Sequence, residues 1–423
     1  MISYASALQH ILQACQPLPP VQLPLAQALG RVLAQDVRAD ADLPPFDNSA
    51  MDGFALASAG TTLVAGHEFA VAGSQAAGDG LAAYSGEACE IMTGASLPDG
   101  LDCVVPVEQV SVLQRDKDGC PLQIRLDAEV SPGAHVRRRG QDVAVGDPIA
   151  SAGIRLTPAL HMLLSSLGVA TLMVRPQVPA ALFTTGRELV DDPSQPLLPG
   201  QIRNSNGPYL ADRLDEAGAR VVHRETVGDD AQAFIAALER GLAAGARVVL
   251  STGAVSMGRH DFVPDALRSL HATILFHKVA IRPGKPLLFA RLPGGQLYFG
   301  LPGNPVSSAV GMRFFVEPAL RALLGQAPEQ PLLLPLAAES RKKPGLRFFL
   351  KAYVALGDGA RLQVEVMSGQ ESFRIKPLLA ANAWVVLDAD ADMLPAGTLV
   401  PVFGLDGRGI LLTNGEDTVG HRP

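Results

Sequence analysis

Residues 44–55 read Pro-Pro-Phe-Asp-Asn-Ser-Ala-Met-Asp-Gly-Phe-Ala, so two carboxylates, an amide and a hydroxyl share a stretch opened by a proline pair and broken by a glycine. Pro44 and Pro45 fix φ and disfavour helix just before them, and Gly53 permits backbone angles that a side chain would block. The stretch is a rigid polar loop that either serves a ligand or forms a turn in which Asp47 and Asn48 bond their own backbone. Three more loops carry similar chemistry: Thr184-Thr185-Gly186-Arg187-Glu188-Leu189, Ser251-Thr252-Gly253-Ala254-Val255-Ser256-Met257-Gly258 with Asp261 just beyond, and Gly300-Leu301-Pro302-Gly303-Asn304-Pro305-Val306-Ser307. Each follows a strand pattern, and ligands of open α/β sheets bind beyond the carboxyl ends of strands. Gly253, hydroxyls such as Thr185, Ser251, Ser256 and Ser307, and free backbone N–H groups could cradle a phosphate. Thr-Thr-Gly alone reads equally well as a strand-ending turn. Three loops of one type on one sheet edge make a binding cleft.

The basic component is Lys278-Val279-Ala280-Ile281-Arg282-Pro283-Gly284-Lys285-Pro286. Lys278, Arg282 and Lys285 around one turn suit a phosphate or oxyanion, the alternative being solvated strand-end charges. Glu188, Asp229 and Asp261, with the distant Asp52 and Asp142, are candidate Mg²⁺ ligands or acid/base groups, because hard oxygen ligands shared with substrate phosphates are the usual magnesium arrangement. Asp229 or Asp230 can equally cap the helix that follows. Arg137-Arg138-Arg139 is a solvated turn or a hold for an anionic ligand or a partner subunit. No histidine pair has zinc-protease spacing, and Cys15, Cys89, Cys103 and Cys120 form neither a CxxC pair nor a disulfide framework, which fits a reducing cytoplasm.

These residues need several cores to position them. The 423 residues suggest two to four domains, and 48% hydrophobic with 18% charged residues describes an ordinary globular chain. A formal charge of −7 argues against a general nucleic-acid or membrane-surface binder, so an anionic ligand must meet a local basic site. The uncharged stretch Leu156 to Val174 is not a membrane span, because Thr157 and Pro158 can start a helix, Gly168 can end it, and Val169 to Val174 reads as a strand.

Apolar periodicity predicts a helix over 5–15 and another over 25–33. Between 46 and 147 short apolar runs separated by Gly, Pro and Asp predict a compact β-rich region without long helices. Over 176–326, strand candidates at Val178 to Phe183, Ala246 to Leu250, Ile274 to Ala280 and Gln296 to Gly300 alternate with helices at Pro208 to Ala217, Asp230 to Leu242 and Pro305 to Leu324. The Pro/Gln-rich segment 326–335 reads as a linker, and strands at Arg347 to Leu356 and Leu362 to Met367 suggest a small all-β end.

In chain order, Ser49-Ala50-Met51-Asp52-Gly53, Met92-Thr93-Gly94-Ala95, Arg138-Arg139-Gly140-Gln141-Asp142, Thr185-Gly186-Arg187-Glu188-Leu189, Asn204-Ser205-Asn206-Gly207, Val255-Ser256-Met257-Gly258, Arg282-Pro283-Gly284-Lys285-Pro286 and Leu301-Pro302-Gly303-Asn304-Pro305 span nearly the whole chain. This series resembles the MoeA family, the molybdopterin molybdenumtransferases, whose eukaryotic relative is the C-terminal part of gephyrin. The resemblance implies a multidomain α/β plus β fold. Its parts would be an extended linker region (1–45 and 148–177), a β-rich second domain (46–147), a MogA-like three-layer α/β third domain (178–326) and a C-terminal β-barrel-like domain (327–423), paired as an elongated homodimer.

The activity it implies is a cytoplasmic, Mg²⁺-dependent insertion of molybdate into adenylylated molybdopterin with release of AMP. A MogA-type adenylyltransferase would act before it, and molybdoenzymes or their chaperones would receive the product. A molybdopterin adenylyltransferase or a gephyrin-like scaffold are the alternatives. By motif the family's functional acids fall on Asp52, Asp142, Glu188, Asp229 and Asp261, the last three as metal ligands. Its substrate contacts fall on Thr93, Thr185, Ser251, Gly253, Ser256, Lys278, Arg282, Lys285, Ser307, Lys351 and Ser372. The chain departs from the family pattern at Arg187, at Ala254 in place of the second glycine of Gly-Gly-Val-Ser, at Arg282, at Lys351 where arginine is frequent, and at Lys376-Pro377.

Overall fold

The computed structural model describes residues 1–80, 86–255, 262–357, 360–410 and 412. The first helix, Tyr4–Ala14, is capped by Ser3, whose hydroxyl accepts from the Ser6 N–H at 3.1 Å, and it buries Ala7 and Ile11. The expected second helix over 25–33 is a correction: Leu25–Gln27 makes one 3₁₀ turn and Val32–Leu33 is a strand. Pairing decides this, because Val32 and Leu33 sit opposite Arg175 and Val174, and Leu33 shares a core with Leu156 and Leu164 while Val32 faces the core beside the α/β sheet. Thr171–Arg175 lies between Val21–Pro24 and Val32–Leu33, and Pro148–Ala150 pairs with Val37–Arg38, so two stretches distant in sequence build one unit. Within it Thr157 caps the helix Pro158–Ser166. No helix among the described residues is long and apolar enough to cross a membrane.

The β-rich region is a six-stranded sheet ordered Cys103–Pro106, Gly53–Leu56, Ala88–Ile91, Glu68–Gln75, Pro121–Leu126, Val110–Arg115. Gly53 is required there by close approach rather than by an unusual backbone angle: a Cβ on it would lie 1.9 Å from the Val105 carbonyl oxygen on the neighbouring strand.

The α/β sheet runs Ala219–Val227, Val178–Thr185, Val248–Thr252, Leu297–Leu301, Leu288–Arg291, Thr273–His277. Only Leu288–Arg291 opposes the other five. Helices Asn206–Glu216 and Pro305–Gly311 pack into one core beside the sheet, and Ala231–Ala243 and Val263–Ser269 into the other. The helix expected over 305–324 is interrupted by a π turn at Met312–Val316 before Glu317–Leu323. Pro318, which has no N–H to donate to the preceding turn, lies two residues beyond that bulge.

The C-terminal sheet runs Ile281–Arg282, Arg347–Leu356, Ala383–Leu387, Leu399–Gly404, Leu332–Pro335, with Leu362–Val366 also on Arg347–Leu356. A bridge between Leu336 and Val364 joins its two ends, which gives the barrel-like closure. Part of the expected linker 326–335 is therefore strand, recruited by pairing with Leu399–Val402. The strand Ile281–Arg282, although embedded in the α/β sequence, is parallel to Arg347–Phe348 of this sheet.

Candidate active site

Register places the three loops at one edge. Thr185 lies opposite Val227, Thr184 opposite Thr252, and Thr252 opposite Leu301, so the turns after them leave the sheet side by side. They also touch. Gly253 stands at φ +88°, and a Cβ on it would fall 2.6 Å from Thr185 Oγ1 and 2.7 Å from the Thr185 carbonyl oxygen. A Cβ on Gly303 would come within 3.8 Å of the Gly253 Cα. Asn206 donates its amide to the Gly303 carbonyl at 2.7 Å, and His277 Nε2 donates to the Val255 carbonyl at 2.7 Å. His277 ends the fifth co-directional strand, so Lys278 begins at the same edge.

Two of the candidate metal ligands meet at the first loop. The Glu188 carboxylate folds back over Gly186, where a Cβ would lie 2.6 Å from both of its oxygens, and an Asp229 oxygen lies 3.5 Å from the Arg187 N–H. Asp230, not Asp229, caps its helix by accepting from the Ala233 N–H at 2.6 Å, which leaves the exposed Asp229 carboxylate beside the loop. Asp261 and Ser256 lie outside the described residues. Among the described residues no three His, Cys, Asp or Glu side chains form a metal cage. A half-buried Glu188 beside an exposed Asp229 matches magnesium held by one or two carboxylates with substrate phosphates completing the shell.

The cation turn backs onto the third loop: a Cβ on Gly284 would lie 3.5 Å from the Ser307 carbonyl oxygen. Lys285 is exposed, Lys278 half-buried, and the Arg282 guanidinium stacks 5.4 Å from the centre of the Phe348 ring. Arg282, Arg341, Lys342, Phe348 and Gln370 line a cleft of about 780 Å³ where the cation turn meets the C-terminal sheet. Ser307 is buried in the first turn of Pro305–Gly311, and the Ser372 carbonyl accepts the Val306 N–H of that turn at 3.0 Å. The C-terminal segment thus touches the third loop at Ser372.

Two expected substrate contacts need correction. Ser251 is fully buried within its strand with its hydroxyl on the Tyr298 hydroxyl, so its side chain faces the core rather than the cleft. Lys351 is also fully buried; its ammonium donates to the carbonyls of Gly369 at 2.6 Å and Arg374 at 3.1 Å, and burial holds its pKa below the usual lysine range. It clamps the loop that carries Gln370 and Ser372 instead of reaching an anion itself.

The β-rich region contributes a separate cluster. Asp52 accepts from both the Thr93 N–H and the Thr93 hydroxyl at 2.7 Å, and these two bonds hold its carboxyl below the usual range. Asp142 lines an open pocket with Pro44, Arg137 and Gln141. Arg138 and Arg139 are engaged within the chain: Arg138 pairs with Asp47 and Arg139 with Asp42, both at 2.6 Å. Asp47 also accepts the Arg139 N–H, the first of the bonds that lower its pKa, and so it does not form the self-bonded turn. Arg137 is left as the member of the run beside Asp142. Among the described residues no hydrogen bond or ion pair joins Asp52 or Asp142 to the α/β loops.

Asn204 was not singled out by residue type, yet its amide donates to Thr184 Oγ1 and to an Asp191 oxygen at 2.8 Å, and its oxygen accepts the Gly207 N–H at 2.9 Å. It ties the Glu188 loop to the helix Asn206–Glu216. The available signal was the Asn-Ser-Asn-Gly run before a helical pattern, where amide side chains bond local backbone.

Family comparison agrees with this geometry along the chain. Residues 2–168 match the MoeA N-terminal region (domain I and II), 181–322 a probable molybdopterin binding domain, and 334–405 the MoeA C-terminal region (domain IV). A molybdopterin molybdenumtransferase of Synechococcus elongatus is 40% identical over 96% of this chain and 100% of its own length. Molybdopterin molybdenumtransferase 2 of Mycobacterium tuberculosis is 36% identical over 94% of this chain and 97% of its own. The crystal structure of a molybdopterin biosynthesis MoeA protein of Pyrococcus horikoshii superposes with a TM-score of 0.77 at 27% identity, covering 96% of this chain and 99% of that one. From its sheet topologies to its full-length relatives, this chain belongs to the MoeA family.

Proposed function

We propose that this chain is a cytoplasmic, Mg²⁺-dependent molybdopterin molybdenumtransferase, which takes adenylylated molybdopterin and molybdate and releases AMP. The observation that carries the reading is the contact of three strand-end loops around Gly253, with Glu188 and Asp229 on one side and the Lys278 to Lys285 turn on the other. Bare backbone at Gly253 and Gly303 lets a phosphoryl group approach the strand ends closely. Lys278 and Lys285 hold its negative charge, and Arg282, in the cleft toward the C-terminal sheet, draws in the oxyanion. Glu188 and Asp229 would hold Mg²⁺, which supplies positive charge against the pyrophosphate. Thr185, fixed by its bond to the Thr252 carbonyl at 3.0 Å, keeps the first two loops in register.

Asp52 and Asp142 complete the site from the partner of a homodimer, so that each site is shared. Purified protein given adenylylated molybdopterin, Mg²⁺ and molybdate should release AMP and yield active cofactor. No AMP release, or formation of adenylylated product from ATP and molybdopterin instead, overturns the reading. Sharing has its own test: mixing inactive Asp52→Ala and Glu188→Ala homodimers should recover up to about a quarter of wild-type turnover, since a mixed dimer has one intact site. A mixture that stays inactive removes the shared site.

A further inference from the structure

Away from the loops, a pocket of about 220 Å³ opens between the antiparallel unit and the α/β sheet, lined by Arg31, Arg155, Arg175, Gln177, Asp215 and Gly218. Its lining holds three arginines and one acid, Asp215. Among the described residues none of the three has a carboxylate within ion-pairing distance. Arg155 donates to the Gly30 carbonyl at 2.9 Å and Arg175 to the Leu18 carbonyl at 2.6 Å, so each is anchored by one end of its fork while the remaining N–H groups stay available. The Nε of Arg175 is buried without any hydrogen-bond partner. A buried charged donor left unmatched is costly, and such groups are ordinarily satisfied. The chain backbone makes room: a Cβ on Gly218 would stand 3.4 Å from an Arg155 terminal nitrogen, and one on Gly325 would stand 3.5 Å from Arg175 Nε. Arg321 and Arg408 add to the positive field at Arg155, whose pKa is lowered first by burial and then by those two charges.

We propose that this pocket binds a small tetrahedral dianion, either a free oxyanion or the phosphoryl group of a nucleotide. Planar guanidinium forks match the oxygens of such a group, and the pocket is large enough to admit it. The site is separate from the strand-end cleft, because its walls come from the Arg31 turn, the strand that ends at Arg175 and the far end of the helix Asn206–Glu216. A bound dianion would crosslink these three elements.

The test uses the full chain carrying Lys285→Ala, which weakens anion binding at the cation turn, and titrates inorganic phosphate calorimetrically at low ionic strength. Among the described residues Arg31 makes no side-chain hydrogen bond or ion pair, so Arg31→Gln leaves the fold intact and should weaken phosphate by about tenfold, the value of one charge-assisted bond. Asp215→Asn removes the opposing charge and should tighten it. Competition by molybdate at the Arg31-dependent site assigns a free oxyanion, and competition by AMP assigns a phosphoryl group; either supports the site. Phosphate affinity unchanged by both Arg31→Gln and Asp215→Asn, or no binding in the Lys285→Ala chain, overturns it.

Discussion

Replacing Gly253 by alanine tests whether the loops truly converge at its Cα. The new methyl would meet Thr185 Oγ1 at 2.6 Å and the Thr185 carbonyl oxygen at 2.7 Å, far inside the roughly 3.5 Å at which non-bonded atoms rest. A side chain rotation can relieve the first overlap but not the second, which is backbone. The residue also stands at φ +88°, where an L side chain costs about 1–2 kcal/mol. Gly245 separates the two effects, because it has φ +87° with nothing within 4 Å of its would-be Cβ. Gly245→Ala should therefore show only the backbone cost, reduced by the about 0.4–1 kcal/mol that alanine gains by restricting the unfolded chain. Gly253→Ala should lose a further 1–3 kcal/mol or so from overlap, as overpacked sites do. The assay is denaturant unfolding of both variants beside AMP-release turnover. Gly253→Ala should unfold at a clearly lower midpoint than Gly245→Ala and lose most turnover, since relief requires Thr185 and the Glu188 loop to move. If both variants unfold together and both turn over normally, the three loops do not meet as described.

Glu188→Ala should lower turnover at least about tenfold, roughly 1.4 kcal/mol of barrier, with an unchanged melting profile; normal turnover would take Glu188 out of the site. Ala254 sits at φ +52°, so Ala254→Val, which places a β-branched side chain in that region, should cost about 1–2 kcal/mol whereas Ala254→Gly is near neutral, and equal melting of the two would contradict that conformation. Glu317 is buried between Arg213 and Arg313, and burial outweighs both arginines to push its carboxyl up to about 7, above the usual carboxylate range. Because the folded state then holds the proton more tightly, this group's contribution is full below about pH 4.5 and is lost as pH rises through about 7. Glu317→Gln should flatten the stability profile over that window, and an unaltered slope in the variant would refute the assignment.

The strand-end loops were legible because they combine small residues with strand patterns of four or five apolar residues, and the fold needs both there. Periodicity gave Arg347–Leu356 to the residue, since its hairpin with Leu362–Val366 is local. It misread 25–33 as helix because the strand at Val32–Leu33 exists only through partners more than a hundred residues away. The edge strand Ala219–Val227 was hidden by Arg220, His223, Arg224 and Glu225, whose charges are tolerated where one side of a strand lacks a neighbour. At the site, residue type could not tell Ser251 from Thr252, because which side of a strand a hydroxyl takes depends on packing against Tyr298. Lys351 enters as a substrate contact by motif alone, and a motif does not show that its ammonium is enclosed by the carbonyls of Gly369 and Arg374.

Ile281–Arg282 belongs by sequence to the α/β part and by hydrogen bonding to the C-terminal sheet. The modules are consequently stitched, not strung. A truncation ending near 326 would strip the cation turn of its neighbour Phe348, and an isolated piece beginning there would bare the ladder groups of Arg347 and Phe348, inviting a foreign strand to dock. Rearrangement of the last domain, in turn, cannot proceed as a free hinge: any rocking of its sheet drags Arg282 along, so the spacing between guanidinium and strand-end loops becomes a mechanical readout of where that domain stands.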